Sequence, residues 1–588
     1  MASTLLWVLA GVLLYSVVAT ALSAQGLLPE WVRVSGPITT LHTERGKAVL
    51  DRLARPKRFW RAWANVGVGI TLVVMVGSFV LVIFSAVTIL DRPSSTVITE
   101  PQDALVIPGV NQFLPLSVAP EIVLGLLVGL VVHEGGHGLL CRVEDISIAS
   151  MGLALITLIP MGAFVEPDEE EQRTAERGAQ TRMFAAGVTN NFAITVVAFA
   201  LLFGPVVGSI AVTPGVPVGG ALPGTPAAQA GIGEGSVITG VAGQNVTNES
   251  DLDGALADAS RTVRVSLSDG TTTTVERSPV VTGAVQNGPT GLGTGATIAA
   301  VNGSPVATES GFEAALENHT VATLRTENGS TTAPMGAYAS RVTPDGPLAN
   351  ATGQAGQPVV VTRFAGERTT NTSALSAALS ETNPGDEVQV EAFVDGERTT
   401  TRVTLGENPQ TGSGLVGVTG LQQGTTGIVV DDFGIDAYPA AGYLAALGGS
   451  GGAGGGGSAL FGVLAVLTLP FASVAVPGAS YNFAGFVGSN LGYYTVTGPL
   501  EFLGGGVFVL ANVLFWVGWV NLNLGFFNCI PAFPLDGGHI LRTSTEAVVS
   551  RLPVGSRRSL TGAVTTAVSL TMLAALVLMV FGPSLLSG

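Results

Sequence analysis

The hydrophobic pattern of the chain is dominated by apolar runs that are long enough to cross a lipid bilayer. A bilayer core of about 30 Å needs roughly 20 apolar residues in helical form, so such runs predict membrane-spanning helices. They cover residues 4–24, 64–90, 119–141, 183–210, 458–477, 505–530 and 560–583. The mixed stretch 478–504 leaves the number of crossings open, at about 6 to 8. The pattern predicts a polytopic α-helical membrane protein whose first run is a retained span, because no basic signal-peptide segment precedes it.

A long polar region, residues 211–440, interrupts the apolar runs and contains an internal repeat. The segments 233–259, 293–319 and 355–382 each show a short strand pattern, a glycine turn, a second strand pattern and an amphipathic helix. Their period of about 60 residues is longer than that of most solenoids and indicates small repeated domains. The predicted fold is therefore a membrane helix bundle with an inserted β-rich region.

Two of the repeat units begin with a loop that resembles the entry loop of PDZ domains. PGTPAAQAGI (223–232) precedes the first unit and PDGPLANATG (344–353) precedes the third. PDZ domains bind an extended peptide or a C-terminus by adding it to a strand edge. The second unit resembles a PDZ domain only weakly, and a β-rich spacer without peptide binding is the alternative for the whole region.

The same patterns predict the domain organisation. Its segments are a two-span region at 1–95, the first half of a membrane core at 119–210, three PDZ-like units at 211–285, 286–335 and 336–410, a linker at 411–458 that ends in the glycine-rich tether 448–458, and the second half of the core at 459–588.

Basic residues predict the orientation of the spans. A dense basic cluster fills residues 42–61, and several arginines follow the run that ends near residue 541. Cytoplasmic loops of membrane proteins carry an excess of Lys and Arg, so both segments are predicted to be cytoplasmic. The chain is then a multi-pass protein of the cell membrane, with the N-terminus and the PDZ-like region outside the cytoplasm.

Composition narrows the function classes. Of the 588 residues 47% are hydrophobic and 12% charged, whereas soluble domains carry about 25% charged residues. A net charge of −16 argues against nucleic-acid binding, which needs a basic surface. Lys47 and Lys57 are the only lysines. An acidic, lysine-poor exterior favours a halophilic source, with a GC-rich genome as the alternative. Cys141 and Cys529 lie in apolar runs and offer no disulfide framework.

The third apolar run contains the motif His133-Glu134-Gly135-Gly136-His137. Positions i and i+4 of a helix share one face, so the two imidazoles can bind one metal ion. Glu134 can then act as the general base of a metalloprotease, since zinc lowers the pKa of a bound water to about 7. A pair of structural histidines is the alternative, but ionisable groups inside a membrane usually have a function.

A catalytic zinc site needs a third protein ligand and a position for water. Asp536, in PLDGG after the run 505–530, is the favoured third ligand, and His539 is the alternative. Cys141 shares a helix face with His133 and His137, but a buried spectator thiol is the better interpretation.

The two motifs together resemble the site-2 protease family of intramembrane zinc metalloproteases. HEGGH in one span and FNCIPAFPLDGG (527–538) in a later span correspond to the family's HExxH and N-x-x-P-x-x-P-L-D-G motifs. GLALITLIPMGAFVEPDEEE (152–171) resembles its membrane-embedded β-hairpin, and PMGAFVEPD is similar to the eukaryotic sterol-regulatory branch. AAGVTNNF (185–192) resembles its A-G-P-x-x-N-F, with Val188 at the proline position.

The resemblance implies a set of site residues. His133, His137 and Asp536 would bind zinc, Glu134 would activate water, and Asn528 and Asn191 would hydrogen-bond an unwound substrate, with Asn190 as the alternative to Asn191. A helix in lipid has no free carbonyl, so a substrate must unwind and find polar partners. A strand edge near 152–165 can supply some of them.

The predicted activity is endoproteolysis of single-span membrane proteins, with the PDZ-like region as a size filter or a binder of new C-termini. A membrane-tethered PDZ scaffold without catalysis and a metal transporter are the two alternatives. A complete HExxH with an aspartate counts against the scaffold, and convergence of the ionisable groups on one pair of motifs counts against the transporter.

Overall fold

A computed structural model describes residues 2–91, 107–109, 114–157, 159–257, 259–448, 459–476, 479–553 and 556–586. The chain forms two compact units. The membrane unit consists of Met1–Ala211, Ala441–Gly488 and Val496–Gly588, and the β-rich unit of Val212–Ala440 and Ser489–Thr495. All of the predicted glycine-rich tether except Gly448 lies outside the described residues.

The first part of the chain contains six helices and a small sheet. In chain order the elements are α1 (Ala2–Ala24), β1 (Val32–Ser35), β2 (Ile38–His42), α2 (Glu44–Leu53), α3 (Lys57–Asp91), α4 (Ala119–Val143), β3 (Ile148–Ile156), β4 (Ile159–Pro167), α5 (Glu169–Thr174) and α6 (Arg177–Leu201). The four strands form one antiparallel sheet in the order β1-β2-β3-β4. The predicted hairpin is β3 and β4, and β2 extends it through pairing with β3.

The middle of the chain is rich in strands. Its elements are β5 (Ile210–Val212), β6 (Val216–Ala221), α7 (Pro226–Gln229), β7 (Val237–Val241), β8 (Gln244–Asn245), α8 (Glu249–Ala257), β9 (Thr262–Leu267), β10 (Thr272–Glu276), β11 (Val280–Ala284), β12 (Ile298–Val301), β13 (Ser304–Pro305), α9 (Glu309–Leu316), β14 (Val321–Thr326), β15 (Gly329–Pro334), β16 (Ala337–Val342), α10 (Pro347–Thr352), β17 (Val359–Phe364), β18 (Glu367–Arg368), α11 (Thr372–Ser380), β19 (Glu387–Val394), β20 (Glu397–Thr404), β21 (Gly406–Glu407), β22 (Gly414–Leu415), β23 (Val418–Leu421), β24 (Ile428–Asp431) and β25 (Ile435–Ala437).

The last part of the chain returns to helices. Its elements are α12 (Ala440–Leu447), α13 (Ala459–Thr468), α14 (Ala472–Ala475), β26 (Tyr494–Val496), α15 (Gly506–Asn528), α16 (Asp536–Val549) and α17 (Arg557–Leu586). The predicted span 458–477 is divided between α13 and α14 by a turn at Leu469–Phe471. Pro470 in that turn lacks an amide hydrogen, which weakens a continuous helix there.

Five helices of the described residues are long and apolar enough to cross a membrane. They are Lys57–Leu90, Leu116–Val143, Arg177–Ser209, Gly506–Asn528 and Arg557–Gly582. On α3, Val73 and Phe84 leave 73% and 69% of their surface uncovered by protein. Such exposure of large apolar side chains along a whole helix is typical of a lipid-facing surface. The five helices fit a multi-pass membrane protein.

The repeat predicted in the polar region is visible as one order of elements that occurs three times. Each repeat consists of a strand, a short strand, a helix and two further strands. The three repeats are β7 to β10, β12 to β15, and β17 to β20. Each unit has its own hydrophobic core, around Leu252, Phe312 and Leu375 on the three helices. The sheet of the first repeat also includes β6, which precedes the repeat, and β25, which follows it. The sheet of the third repeat includes β16 and β23 in the same way, whereas the sheet of the second repeat has no such strands among the described residues.

Candidate metal centre

Helix α4 places two imidazoles side by side. His133 and His137 are one turn apart on the same face, and their Nε2 atoms are 3.2 Å apart. The face is closely packed because α4 contacts α6 and α15. At Gly136 a Cβ atom would lie only 2.8 Å from the carbonyl oxygen of Ala186, so the absence of a side chain lets α6 approach.

The third group of the centre comes from the beginning of α16. Asp536 is the first residue of that helix, and its Oδ2 lies 3.1 Å from Nε2 of His133 and 3.3 Å from Nε2 of His137. The two glycines after it pack on the backbone of the preceding loop. A Cβ at Gly537 would be 2.3 Å from the carbonyl oxygen of Ile530, and one at Gly538 would be 2.8 Å from that of Ala532. The LDGG sequence therefore folds the chain back tightly enough to bring the carboxylate to the imidazoles.

The three side chains fit a metal ion. Their ligand atoms all lie within 4.8 Å of one another. Zinc bonds of 2.0–2.1 Å in a tetrahedron place two ligand atoms about 3.3 Å apart, close to the three observed separations. Oδ2 of Asp536 is buried and has no hydrogen-bond partner among the described residues. A buried polar atom without a partner needs an explanation, and a shared cation supplies one.

Residues of α6 orient both imidazoles by contacting their Nδ1 atoms. Nδ1 of His137 lies 2.8 Å from the carbonyl oxygen of Met183, which can only accept a hydrogen bond. Nδ1 of His137 therefore carries the proton, and Nε2 presents its lone pair to the centre. Nδ1 of His133 lies 3.3 Å from the carboxamide of Asn191. Asn191 is fully buried.

Glu134 lies next to the imidazoles and is held by the sheet. Its Oε2 accepts a hydrogen bond of 3.0 Å from the backbone N–H of Val165 on β4. Unlike His133, Glu134 keeps part of its surface exposed. The arrangement combines a three-ligand centre with an accessible carboxylate, which is the composition of a hydrolytic metal site.

The other predicted site residues have different surroundings. The ring of His539 stacks on Phe184, with 4.4 Å between the ring centroids, and His539 is not one of the three grouped ligands. Cys141 is buried in an apolar cluster with Leu140 and Val143. Both residues therefore contribute to packing around the centre.

The two asparagines of α6 point to different neighbours. Oδ1 of Asn190 accepts a hydrogen bond of 3.1 Å from the indole of Trp63 on α3, whereas Asn191 faces His133. Asn528, the last residue of α15, is partly exposed, and its amide donates to the carbonyl oxygen of Leu524 at 2.9 Å.

Sequence reasoning missed Gly187 and Met183. A Cβ at Gly187 would lie 2.6 Å from Nε2 of His137 and 2.8 Å from the ring of His133, so only glycine leaves room for both imidazoles. Gly187 precedes Asn191 by four residues and therefore shares its helix face, which is a signal available in the sequence. The carbonyl of Met183 leaves no such signal, since every residue has one.

Comparisons with known proteins give a family match and a similar relative. The family model described as Peptidase family M50 matches residues 121–575, which include all three grouped side chains. An uncharacterized protein of Methanocaldococcus jannaschii is 29% identical over 167 residues. That match covers 28% of this chain and 42% of the relative, so the chain matches less than half of that relative's length.

Proposed function

Since the chain belongs to peptidase family M50, the site-2 protease family, we propose that it is an intramembrane zinc endopeptidase that cuts membrane-spanning segments of other proteins. The convergence of His133, His137 and Asp536 between apolar helices carries this proposal. Membership of the family supports a protease, and the activity, zinc, the substrate class and the following roles are proposed.

The chemistry is assigned to Glu134. His133, His137 and Asp536 would hold zinc, which would supply the Lewis acidity that allows a water to be deprotonated near neutral pH. Glu134 accepts the proton of the attacking water and donates it to the nitrogen of the leaving amine. The hydrogen bond from Val165 fixes one carboxylate oxygen and leaves the other for this transfer.

Asn191 is assigned a positioning role, in place of the substrate contact predicted for it. When Nε2 of His133 is a metal ligand, its Nδ1 carries the proton and needs an acceptor. Nδ2 of Asn191 faces that atom, while Oδ1 of Asn191 is buried without a partner. Rotating the carboxamide of Asn191 by half a turn exchanges its Oδ1 and Nδ2 atoms. Oδ1 of Asn191 then accepts a hydrogen bond from Nδ1 of His133. Asn191 then holds His133 as Met183 holds His137.

The substrate is assigned to β4 and Asn528. β4 is the outer strand of its sheet, and it adjoins α4 through the hydrogen bond from Val165 to Glu134. An unwound segment can add to this edge and satisfy its backbone groups, and Asn528 offers a partly exposed carboxamide for the same purpose. The substrates proposed are single-span membrane proteins.

The β-rich unit is assigned a peptide-binding role. The two loops that resemble the entry loop of PDZ domains, 223–232 and 344–353, each contain a short helix, α7 and α10 respectively. These units would bind an extended peptide or a C-terminus outside the cytoplasm, while the centre acts towards the cytoplasmic side.

The test compares wild type with Glu134→Gln and with the exposed control Glu170→Gln, using zinc content and cleavage of a single-span reporter. Zinc retained in all three proteins, with cleavage lost only in Glu134→Gln, is the expected result. Equal cleavage by wild type and Glu134→Gln would remove Glu134 as the base. A wild-type protein that binds zinc but cuts no reporter would favour the scaffold, and zinc flux into vesicles would favour the transporter.

A further inference from the structure

A second polar site lies in the membrane unit, away from the metal ligands. A cavity of about 670 Å³ opens between α6, α16 and α17. Four arginines line it: Arg177, Arg542, Arg557 and Arg558. The hydroxyl-bearing Thr561 and Thr565 are buried in its wall, and Phe533 adds an apolar edge.

The arginines of the cavity exceed the acidic groups available to them. Glu546, the one carboxylate among the described residues of the lining, pairs with Arg542 at 3.2 Å. Arg177 donates to the hydroxyl of Ser550 and to the carbonyl oxygen of Glu546, both of which are uncharged acceptors. Arg557 and Arg558 are exposed and have no ion pair within the described residues. Three guanidinium charges therefore face the cavity without compensation.

The ends of two apolar helices give the level of the cavity in the membrane. Arg177 is the first residue of the span Arg177–Ser209, and Arg557 is the first residue of the span Arg557–Gly582. The cavity thus lies where these spans leave the hydrocarbon, which is the level of lipid headgroups.

We propose that this cavity binds the phosphate headgroup of an anionic phospholipid. Arginine guanidinium groups match phosphate with two parallel hydrogen bonds, and basic pockets between membrane helices bind acidic headgroups. The lipid is favoured over an acidic segment of a substrate because Phe533 gives the cavity an exposed apolar side, on which an acyl chain can lie. Phe533 leaves 43% of its surface exposed.

Occupancy of the cavity has a consequence for the metal centre. Helix α16 begins with Asp536 and carries Arg542 and Glu546 on the cavity side. Phe533 contacts the ring of His539 edge-on, with 5.1 Å between the centroids. A headgroup held by α16, α6 and α17 together fixes the helix that supplies the third metal ligand.

The test uses the purified full-length protein in detergent and measures retained lipid by native mass spectrometry after exposure to phosphatidylglycerol. The variant is Arg557→Gln with Arg558→Gln. Its matched control is Arg52→Gln with Arg551→Gln, which removes the same charge from exposed positions that do not line the cavity. We expect affinity for the lipid to fall roughly 30-fold in the variant, as for two basic groups at an anionic membrane surface, and to change little in the control.

Further measurements distinguish a lipid headgroup from free phosphate and from an acidic segment of a substrate. Arg557→Lys with Arg558→Lys keeps the charge but loses the planar fork, and it should bind with intermediate affinity even if the glutamine variant folds poorly. Equal loss in variant and control would mean general surface attraction and would overturn the proposal. Displacement of the lipid by millimolar inorganic phosphate would show a free-phosphate site. Unchanged lipid binding, with loss of cleavage only for reporters with acidic flanks, would assign the cavity to substrate.

Discussion

Two aspartates with buried carboxylate oxygens, one in each unit, have opposite surroundings. Asp432 in the β-rich unit receives two hydrogen bonds from Arg277, from Nε at 2.9 Å and from a terminal nitrogen at 2.6 Å, and a third from the backbone N–H of Glu309. Asp536 in the membrane unit faces two imidazole nitrogens, yet its Oδ2 has no hydrogen-bond partner among the described residues.

The difference distinguishes a structural carboxylate, Asp432, from the proposed metal ligand, Asp536. Arg277 also donates to the carbonyl oxygens of Leu256 and Ala259, so the pair around Asp432 is complete without any added group. A buried charge that is paired and fully hydrogen-bonded is tolerated, whereas an incomplete one is costly. Within the described residues the Oδ2 atom of Asp536 lacks such a set of donors, and a cation shared with the two imidazoles would complete its surroundings.

The largest effect on zinc binding and cleavage is expected from the substitution Asp536→Ala. We expect loss of stoichiometric zinc and a fall in reporter cleavage of about a thousandfold or more, because two imidazoles alone do not supply the three protein ligands of a catalytic zinc site. Metal analysis and cleavage assays measure both effects. His539→Ala is the control and should retain zinc; zinc loss in His539→Ala with retention in Asp536→Ala would reverse the assignment of the third ligand.

Asp432→Ala tests the other half of the comparison. Removal of the carboxylate leaves Arg277 buried without its partner, so we expect the β-rich unit to lose about 3–5 kcal/mol of unfolding free energy. Urea unfolding of the purified protein, followed by proteolysis of the β-rich unit, reports this change. Zinc content should be unchanged, and a stability loss below about 1 kcal/mol would contradict the structural role.

The substitution Asn191→Leu tests whether the polar contact to His133 raises the affinity of the centre for zinc. The substitution removes the acceptor proposed for Nδ1 of His133, and loss of such partners lowers metal affinity by about 10- to 100-fold. Chelator competition gives the zinc affinity without reference to activity. Asn190→Leu is the neighbouring control, since Asn190 contacts Trp63. Equal effects of both substitutions would mean that α6 packing, and not the imidazole, is what Asn191 supports.

The smallest expected effect is a change in the stability of the β-rich unit with pH, caused by Glu309 beside Asp432. Burial, with the nearby carboxylates Asp431 and Asp432, raises the pKa of Glu309 from 4.5 to about 7. Since the folded pKa is above the unfolded one, the stabilisation is complete below about pH 4.5 and is lost as the pH rises through about 7.

Thermal unfolding of the β-rich unit should therefore shift to lower temperature over that pH range in wild type and shift less in Glu309→Gln. Glu367→Gln, a substitution at an exposed position on β18, is the control. Parallel pH profiles of wild type and Glu309→Gln would remove Glu309 as the cause.

The parts of the centre that depend on local chain geometry could be predicted from the sequence. The spacing of His133 and His137 defines a helix face by itself, and the PLDGG motif drew attention to Asp536. The contacts of Met183, Gly187 and Asn191 could not be derived, because they depend on how α4 packs against α6.

The fold shows the same limit. The threefold order of strands and helix was predicted, since it follows from short-range patterns. The pairing of β2 with β3 was not, because Ile38–His42 and Gly152–Ile156 are far apart in sequence and neither segment specifies its partner. The break in the run 458–477 had a local signal, Pro470, which the apolar composition concealed.

The position of Asp536 in the chain also controls when the centre can exist. His133, Glu134 and His137 are synthesised early, whereas Asp536 follows the entire β-rich unit. The three side chains can therefore meet only after the chain has been synthesised through Asp536. The nascent chain carries an incomplete centre until then, so the proposed proteolytic activity can begin only once the second half of the membrane unit has begun to assemble on the first.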